Sequence, residues 1–446
     1  MNNITNFSAI ALSIGVAIAL LYDIRHSILR LISARNVALL TIVVWYAADA
    51  SWISDEMQKY TQSQYNKAVL CVALAIISFL FVYYRVKGGL FDDFAKRLGS
   101  LENPNMLWIL FLVALAIGML PLVTIAQGDL TLVVAAAFRA GKRFSGMFDR
   151  GRYGGLRDAF LELQMFLKAA IPLAAVIILD RRQSLSRKVC CVLFCLWMFG
   201  RAATGGTRSE MVVVVMPILA VIYFKLSPSF KRLAIMVGLP IVAAIGVVWA
   251  EAVVVTRQQG NFDWSAASSA NVTGFEMFSE LLYLSNHVPD PLDYQFGQTY
   301  FDQLVNPIPR FIWPDKPVSD AGLLLAQAKG EVAAKTGEAY LTRSPGLIGE
   351  MYWNFGWLGI VVLSGMAGYA LKSWDRLIQI QPNSPVSFVI FAAGLGLIFL
   401  SGRSFTMPIY YGMLALYVLV WWLPKQLSPS NLVRTEVQSL LTSSGR

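Results

Sequence analysis

Long apolar runs separated by short polar segments dominate this chain. Many of the runs approach the length of about 20 residues that a helix needs to cross a bilayer. They are continuous rather than alternating, which excludes a transmembrane β-barrel. The pattern therefore predicts an all-α, polytopic membrane bundle. The eleven predicted spans are residues 7–22, 37–54, 68–84, 106–126, 161–179, 189–204, 211–224, 233–253, 346–371, 385–400 and 404–423.

Composition supports the membrane interpretation. Of the 446 residues, 56% are hydrophobic and only 14% are charged, whereas a soluble domain carries about 25% charged residues. The first apolar run has no basic segment before it and no small-residue cleavage site after it, so we do not expect a cleavable signal peptide.

Lys and Arg residues are concentrated in alternate loops. By the positive-inside rule, the richer set is cytoplasmic, which places the N-terminus in the periplasm and the C-terminus in the cytoplasm. The predicted cytoplasmic segments are 24–36, 85–105, 180–188, 225–232, 372–384 and the tail from 424. The net charge of the chain is +10, and its cations lie in short clusters between the predicted spans. Such clusters set the orientation of a membrane protein, so the charge does not indicate a nucleic-acid partner.

Two longer loops then lie outside, and both carry several cations. Loop 127–160 departs from the positive-inside trend. Either the assigned topology is wrong at this loop, or cations are kept outside to hold an anion. We favour the second explanation.

The predicted organisation is an N-terminal membrane bundle 1–253 that includes this basic loop, a large periplasmic loop 254–345, C-terminal spans 346–424 and a cytoplasmic tail 425–446. Within the large loop, Phe275–Leu284 predicts a short amphipathic helix at the membrane interface.

Cysteine and histidine give no sign of a metal or disulfide site. All four cysteines fall within predicted spans, and the two histidines lie in different loops. We therefore expect neither a cofactor nor a metal.

Three arginines occur where a charge is costly: Arg208 after Gly205-Gly206, Arg257 at the end of the eighth predicted span, and Arg403 in Ser-Gly-Arg-Ser. Each either reaches the headgroups or pairs with a carboxylate, or the arginines converge on an anion. Since a guanidinium binds phosphate through two parallel hydrogen bonds, we favour a shared anion site.

The segment 306–317 contains four prolines and must be an ordered, extended loop. Farther along, Glu350 lies one turn inside the ninth span, where it either pairs with an arginine or acts as a base. His287 is the only histidine predicted to face outward, and it is a second candidate base. The aromatic residues near the outer ends of the spans form an interfacial belt, stack on sugar rings, or do both. They are Trp313, Tyr340, Tyr352, Trp353 and Trp357.

Four segments carry a resemblance to a known family. They are Gly-Gly-Thr-Arg-Ser at 205–209, Ile-Pro-Arg-Phe-Ile-Trp-Pro-Asp-Lys-Pro at 308–317, Gly-Glu-Met-Tyr-Trp-Asn-Phe-Gly at 349–356, and Gly-Arg at 402–403. Through these segments and their order, the chain resembles the bacterial oligosaccharide repeat-unit polymerases of the Wzy type (O-antigen or exopolysaccharide polymerases). The superfamily of these polymerases also contains the O-antigen ligases. The resemblance implies a GT-C-like helical fold with an outward-facing cavity under a periplasmic loop. It also implies transfer of the growing glycan from undecaprenyl pyrophosphate to a lipid-linked repeat unit.

The resemblance assigns roles to individual residues. Arg208, Arg310 and Arg403 would bind the pyrophosphates, with Arg257 and Arg343 in reserve. Arg143 joins this set because Arg143 and Gly154 match an Arg-x10-Gly pattern described for the family. Glu350 or His287 would orient or deprotonate the acceptor hydroxyl. Trp313, Tyr352 and Trp353 would stack on the glycan. No Asp-x-Asp pair appears in the outer segments, so arginines would stabilise the departing phosphate without a metal.

The expected partners are the lipid-linked oligosaccharide donor and acceptor, membrane lipid, and a chain-length regulator and flippase of the same pathway. The expected location is the bacterial inner membrane, with the active site facing the periplasm. Two alternatives stay open. One is an O-antigen ligase or another lipid-linked glycosyltransferase, and the other is a transporter or flippase, although no internal symmetry is evident.

Overall fold

The computed structural model describes residues 6–24, 32–51, 53–135, 160–204, 208–238, 276–306, 308, 312–317, 321–331 and 343–426. All regular secondary structure in these ranges is helical. The α-helices are α1 (Phe7–Ile24), α2 (Ala34–Ile42), α3 (Ala48–Ser51), α4 (Gln62–Arg85), α5 (Asp92–Ser100), α6 (Pro104–Ile125), α7 (Leu130–Ala135), α8 (Met165–Leu179), α9 (Leu185–Thr204), α10 (Arg208–Lys225), α11 (Pro228–Leu233), α12 (Met277–His287), α13 (Gln298–Val305), α14 (Ala321–Ala328), α15 (Leu347–Ile380), α16 (Pro385–Ser401) and α17 (Met407–Gln426). A π-helical turn, Val43–Ala47, joins α2 to α3.

Four of the described helices are long and apolar enough to cross a membrane: Gln62–Arg85, Pro104–Ile125, Glu162–Leu179 and Leu347–Ile380. Shorter apolar helices occur at Phe7–Tyr22, Pro385–Ser401 and Ile409–Pro424. The prediction of an α-helical membrane protein is therefore supported. The full count of eleven spans and the periplasmic position of the large loop stay predictions, and most of the predicted span 233–253 lies outside the described residues.

Local sequence explains where several helices begin. Thr61 caps α4 through a reciprocal pair of hydrogen bonds with Gln64. The side chain of Asn103 caps α6, whose first residue is Pro104, and Ser384 caps α16, whose first residue is Pro385. Proline suits the first helical position because its missing N–H has no partner there in any case.

Two apolar cores hold the bundle together. One is formed by α6, α8, α9, α10, α16 and α17, and the other by α2, α4, α12 and α15. Glycine lets α15 approach α4 closely, because a Cβ at Gly368 would lie 2.4 Å from the carbonyl oxygen of Phe79. The predicted helix near residue 277 exists as α12. However, Phe278, Leu281 and Leu284 are buried in the second core, so α12 is a packed element rather than a surface helix.

A kink divides α15 after its first two turns. Phe355 leaves helical geometry and Gly356 adopts φ 59°, a conformation that favours glycine. The kink frees the carbonyl oxygens of Trp353 and Asn354, which accept hydrogen bonds from the amides of Gln295 and Phe296. The Asn-Phe-Gly sequence thus serves to bend α15 and dock the 294–297 loop against it.

Candidate functional site

A cavity of about 320 Å³ opens where α8, α10, α13, α14 and the turn between α16 and α17 meet. We call it the Arg403 cavity. Its polar lining includes Lys168, Glu210, Gln303, Ser344 and Arg403. These residues come from distant parts of the chain, and two of them are cations within predominantly apolar sequence. With the carboxylate of Glu210 counted, the described lining has a net charge of +1, which favours an anionic group in the cavity.

Arg403 lies in the turn 402–406 that links α16 to α17. One of its terminal nitrogens donates to the hydroxyl of Ser344 at 3.3 Å, and its guanidinium lies 5.8 Å from the ring centroid of Trp45. Gly402 has an ordinary φ of −58°, so its backbone needs no special freedom. Glycine is required there for space, because a Cβ would lie 2.2 Å from the Cγ2 of Thr41. The turn is pressed against α2, which limits where Arg403 can reach.

Lys168 is a member of the site that the sequence analysis missed. Its Nζ is 2.6 Å from the Oε1 of Glu210, so the first turn of α8 is linked to the first turn of α10 across the cavity wall. The available signal was a lysine inside the predicted span 161–179, where a cation usually faces a cavity or a partner. The pair adds one positive and one negative charge beside Arg403.

Glu350 is fully buried and has several hydrogen-bond partners. Its Oε1 accepts from the hydroxyl of Thr299 at 2.9 Å, and its Oε2 accepts from the amide of Phe405 at 2.8 Å. Phe405 lines the Arg403 cavity, whereas Glu350 is not among the lining residues. The carboxylate therefore stands behind the cavity wall and holds the turn that carries Arg403.

Asn354 extends this hydrogen-bond network along α15. Its side-chain amide donates to the Thr299 hydroxyl and to the Glu350 carbonyl oxygen, each at 2.8 Å. Its Oδ1 accepts from the amide of Gly297 at 2.8 Å, just before α13 begins. Because all these groups are buried or partly buried, the loss of one partner would leave another unsatisfied. The network fixes α13, and hence Gln303, relative to α15.

The described part of the proline-rich segment is organised by a buried lysine. Lys316 is 5% exposed, and its ammonium donates to the carbonyl oxygens of Asn306 at 2.7 Å and Ile308 at 2.8 Å. Trp313 is partly exposed and lies edge-on to Phe301, with 6.3 Å between ring centroids. The described residues of the segment, 306, 308 and 312–317, lie outside helices, and the segment follows α13, which ends two residues after Gln303.

Arg343 is engaged by carboxylates. It makes hydrogen bonds of 2.6–3.0 Å to Glu331 and of 3.1 Å to Glu280. Lys329 reaches the other oxygen of Glu280 at 2.9 Å. Hydrogen bonding to Arg343 lowers the pKa of Glu331, while burial raises the pKa of Glu280. A phosphate would have to compete with these carboxylates for Arg343, which lies next to the cavity residue Ser344.

His287 ends α12 and is held by its neighbours. Its Nδ1 is 2.8 Å from the carbonyl oxygen of Tyr283, and its ring stacks on the Tyr283 ring with centroids 4.1 Å apart. It does not line the Arg403 cavity. The geometry therefore gives His287 a local contact and does not bring it to Arg403.

The proposed glycan-stacking aromatics differ in exposure. Tyr352 and Trp353 are each 2% exposed and belong to the second apolar core. Their ring faces are covered by protein, so a sugar could reach them only if the helices moved apart. Trp313 keeps a partly exposed ring.

Several predicted site residues lie outside the described residues. Arg143, Arg257 and Arg310 are among them. Arg208 is the first residue of α10, which places its backbone two residues before Glu210, but its side chain is outside the description. The described residues contain no group of three His, Cys, Asp or Glu side chains that would hold a metal ion.

Comparisons with protein-family models, with curated proteins and with solved structures find no match to this chain.

Proposed function

We propose that this protein is a membrane glycosyltransferase that polymerises oligosaccharide repeat units carried on undecaprenyl pyrophosphate. The observation that supports this proposal best is the Arg403 cavity, a polar space with two cations set into an apolar helical bundle. An amphiphilic substrate needs such a site, because its pyrophosphate and sugars must meet protein while its polyprenyl tail stays in lipid. The resemblance of the four sequence segments supplies the reaction.

In the proposed reaction, the acceptor hydroxyl attacks the anomeric carbon of the donor glycan. A new glycosidic bond forms as the bond between that carbon and the pyrophosphate oxygen breaks. Undecaprenyl pyrophosphate leaves with the electron pair, and the hydroxyl proton passes to a base. Negative charge grows on the leaving oxygen, so fixed cations close to it lower the barrier.

Arg403 is the described residue best placed to bind the leaving pyrophosphate, and Lys168 joins it when the pyrophosphate displaces Glu210 from the Lys168 ammonium. Arg208 and Arg310 complete the set that the resemblance implies. Glu210 is the carboxylate that lines the cavity, and we assign it the acceptor proton. Glu350 then acts through the Phe405 amide as a positioning residue, since its carboxylate is fully buried behind the wall. This assignment changes the role expected for Glu350 from the sequence.

The proposal keeps the inner membrane as the location, the periplasm as the side of the reaction, and a chain-length regulator and flippase as pathway partners. A ligase would use the same kind of pyrophosphate site but a different acceptor. A flippase would need a path through the bundle rather than a site at one end of the helices.

Deletion of the gene in its source strain tests the proposal, with surface and lipid-linked glycans resolved on a gel. We expect the polymer ladder to collapse to a single repeat unit, and wild type to restore it. Arg403→Lys keeps the charge but loses the planar fork, so we expect a loss of about 10²–10³ in polymerisation rate at normal protein level. Lys59→Gln, which removes an exposed cation outside the cavity, is the matched control.

Other outcomes would reject the proposal in distinct ways. Long polymer that stays on its lipid carrier would indicate a ligase. Unchanged glycans would indicate a function outside glycan assembly. A full ladder in Arg403→Lys, with normal protein level, would remove Arg403 from the site while leaving the polymerase activity itself intact.

A further inference from the structure

A second cavity, of about 620 Å³, lies at the other end of the same helices. We call it the Arg181 cavity. Helices α8, α10 and α16 each contribute residues to both cavities, at opposite ends. From Lys168 to Leu179 the rise is roughly 16 Å, and from Glu210 to Lys225 it is roughly 22 Å. The two cavities therefore lie near opposite faces of the bundle, and the Arg181 cavity is at the end that the Lys and Arg distribution assigns to the cytoplasm.

The lining of the Arg181 cavity is half charged or polar and half apolar. Arg181, Arg182 and Lys225 provide three cations, against the carboxylates of Glu102 and Asp180. The apolar lining consists of Leu107, Val176, Leu179, Phe224, Pro385 and Val386. An amphiphile with an anionic head would satisfy both halves, whereas a free ion would leave the apolar half exposed to water.

Two of the three cations are available to a ligand. Arg182 is neutralised by Asp180, with its Nε 3.0 Å from Oδ1. By contrast, the side chains of Arg181 and Lys225 have no hydrogen-bond or ion-pair partner in the part of the chain that the structure describes. Both are exposed: Arg181 lies in the turn after α8, and Lys225 is the last residue of α10. The described lining, with three cations and two carboxylates, has a net charge of +1, and its two cations without an ion-pair partner, Arg181 and Lys225, favour a phosphate between them.

The cavity wall is held by hydrogen bonds from residues 182–187, in the turn after α8 and the first turn of α9, to residues 102–105 at the start of α6. Gln183 donates to the carbonyl oxygen of Pro104 at 2.7 Å, and Arg187 donates to the side-chain oxygen of Asn105 at 3.0 Å. Arg182 donates to the carbonyl oxygen of Glu102. These contacts fix the backbone of the segment that carries Arg181, so a ligand has to order the side chains of Arg181 and Lys225 but not that segment.

We propose that the Arg181 cavity binds the headgroup of an anionic phospholipid from the leaflet at that end of the bundle. Basic pockets between helices on the cytoplasmic side suit such headgroups, because that leaflet carries the anionic lipids. The phosphate lies between Arg181 and Lys225, and the acyl chains follow the apolar surface of α8 and α10 into the bilayer. This inference does not depend on the proposed glycosyltransferase reaction, because the Arg181 cavity shares no residue with the Arg403 cavity.

Native mass spectrometry of the full-length protein, released from micelles with defined lipid, tests this site. The probes are phosphatidylglycerol, which is anionic, phosphatidylcholine, which is zwitterionic, and soluble glycerol phosphate. We expect phosphatidylglycerol to bind at least tenfold more tightly than phosphatidylcholine. The double variant Arg181→Gln/Lys225→Gln should lose about 30-fold of that affinity, roughly fivefold for each cation near the surface.

The matched control is Lys96→Gln/Arg232→Gln, which removes two cations from segments predicted to lie on the same side and outside the cavity. We expect it to retain wild-type affinity. Equal loss in both double variants would mean that net charge alone attracts the lipid, and would overturn the site. Equal affinity for phosphatidylcholine, or full competition by glycerol phosphate, would overturn the anionic phospholipid as its ligand. A thermal unfolding scan without added lipid verifies that all variants are folded.

Discussion

Removing the Glu350 carboxylate tests whether this residue positions the site or carries out the chemistry. In Glu350→Ala, the Thr299 hydroxyl and the Phe405 amide both lose their acceptor. A hydrogen bond to a charged partner contributes about 1.5–3 kcal/mol, so the two together correspond to about 3–6 kcal/mol of the free energy of unfolding. That is a large share of the total for a marginally stable fold.

Glu350→Gln makes a smaller change. Its remaining oxygen can accept from the Phe405 amide, and its new NH₂ group can donate to the Thr299 hydroxyl oxygen. We expect it to lose less than half of the stability that alanine loses, and polymerisation to stay within about tenfold of wild type. A general base replaced by an amide would instead lose about 10²–10⁴ in rate with the fold intact.

The assay combines two measurements on the same variants. Unfolding of the purified protein in detergent gives stability, and the glycan ladder at matched membrane level gives activity. Thr299→Val completes a double-mutant cycle with Glu350→Ala, and the two changes should be strongly non-additive because they share one hydrogen bond. A stable Glu350→Gln protein with no polymerisation would refute the positioning role. Additive losses in the cycle would refute the geometry of the network.

Three further substitutions probe the surroundings of the site. Gly402→Ala should cost about 1–3 kcal/mol in unfolding free energy, because its Cβ would overlap α2, whereas Gly88→Ala has open space and should be neutral. Lys316→Met should speed limited proteolysis of the proline-rich segment, because the ammonium that joins two carbonyl oxygens is lost. Arg343→Gln should destabilise the protein at neutral pH, and the deficit should shrink as the pH falls through the pKa of Glu331, which Arg343 holds below its ordinary value. Urea melts at pH 7 and pH 3 measure that last difference.

The sign of the pH effect follows from the pKa of Glu331, which Arg343 lowers from its ordinary value. Because the pKa of Glu331 is lower in the folded protein than in the unfolded chain, this group stabilises the fold at pH values above its unfolded-state pKa. That stabilisation is lost as the pH falls through its folded-state pKa. Glu280 opposes this trend, because burial raises its pKa and favours its protonated form. A constant deficit in Arg343→Gln at both pH values would contradict the ion-pair account. Equal melts for Gly402→Ala and Gly88→Ala, or unchanged proteolysis in Lys316→Met, would contradict the other two.

Some parts of the site were visible in the sequence because the signal is local. A charge inside an apolar run is conspicuous, and this identified Arg403 and Glu350. Asn354 and Gly356 lie in the segment 349–356 that carries the family resemblance, but the sequence did not predict their structural roles. The kink at Gly356 depends on φ 59°, and the role of Asn354 depends on Thr299, which lies 55 residues away.

The sequence by itself determined that the protein is a bundle of helices suited to a membrane, because an apolar run of sufficient length must satisfy its backbone hydrogen bonds internally wherever it lies in lipid. Only the tertiary structure decided that Lys168 and Arg403 share a cavity, that Glu350 stands behind its wall, and that Tyr352 and Trp353 are covered. Hydropathy indicates whether a segment of the chain lies in lipid or in water. Which polar side chains meet depends on how the helices pack, and that packing is set by contacts between residues far apart in the chain.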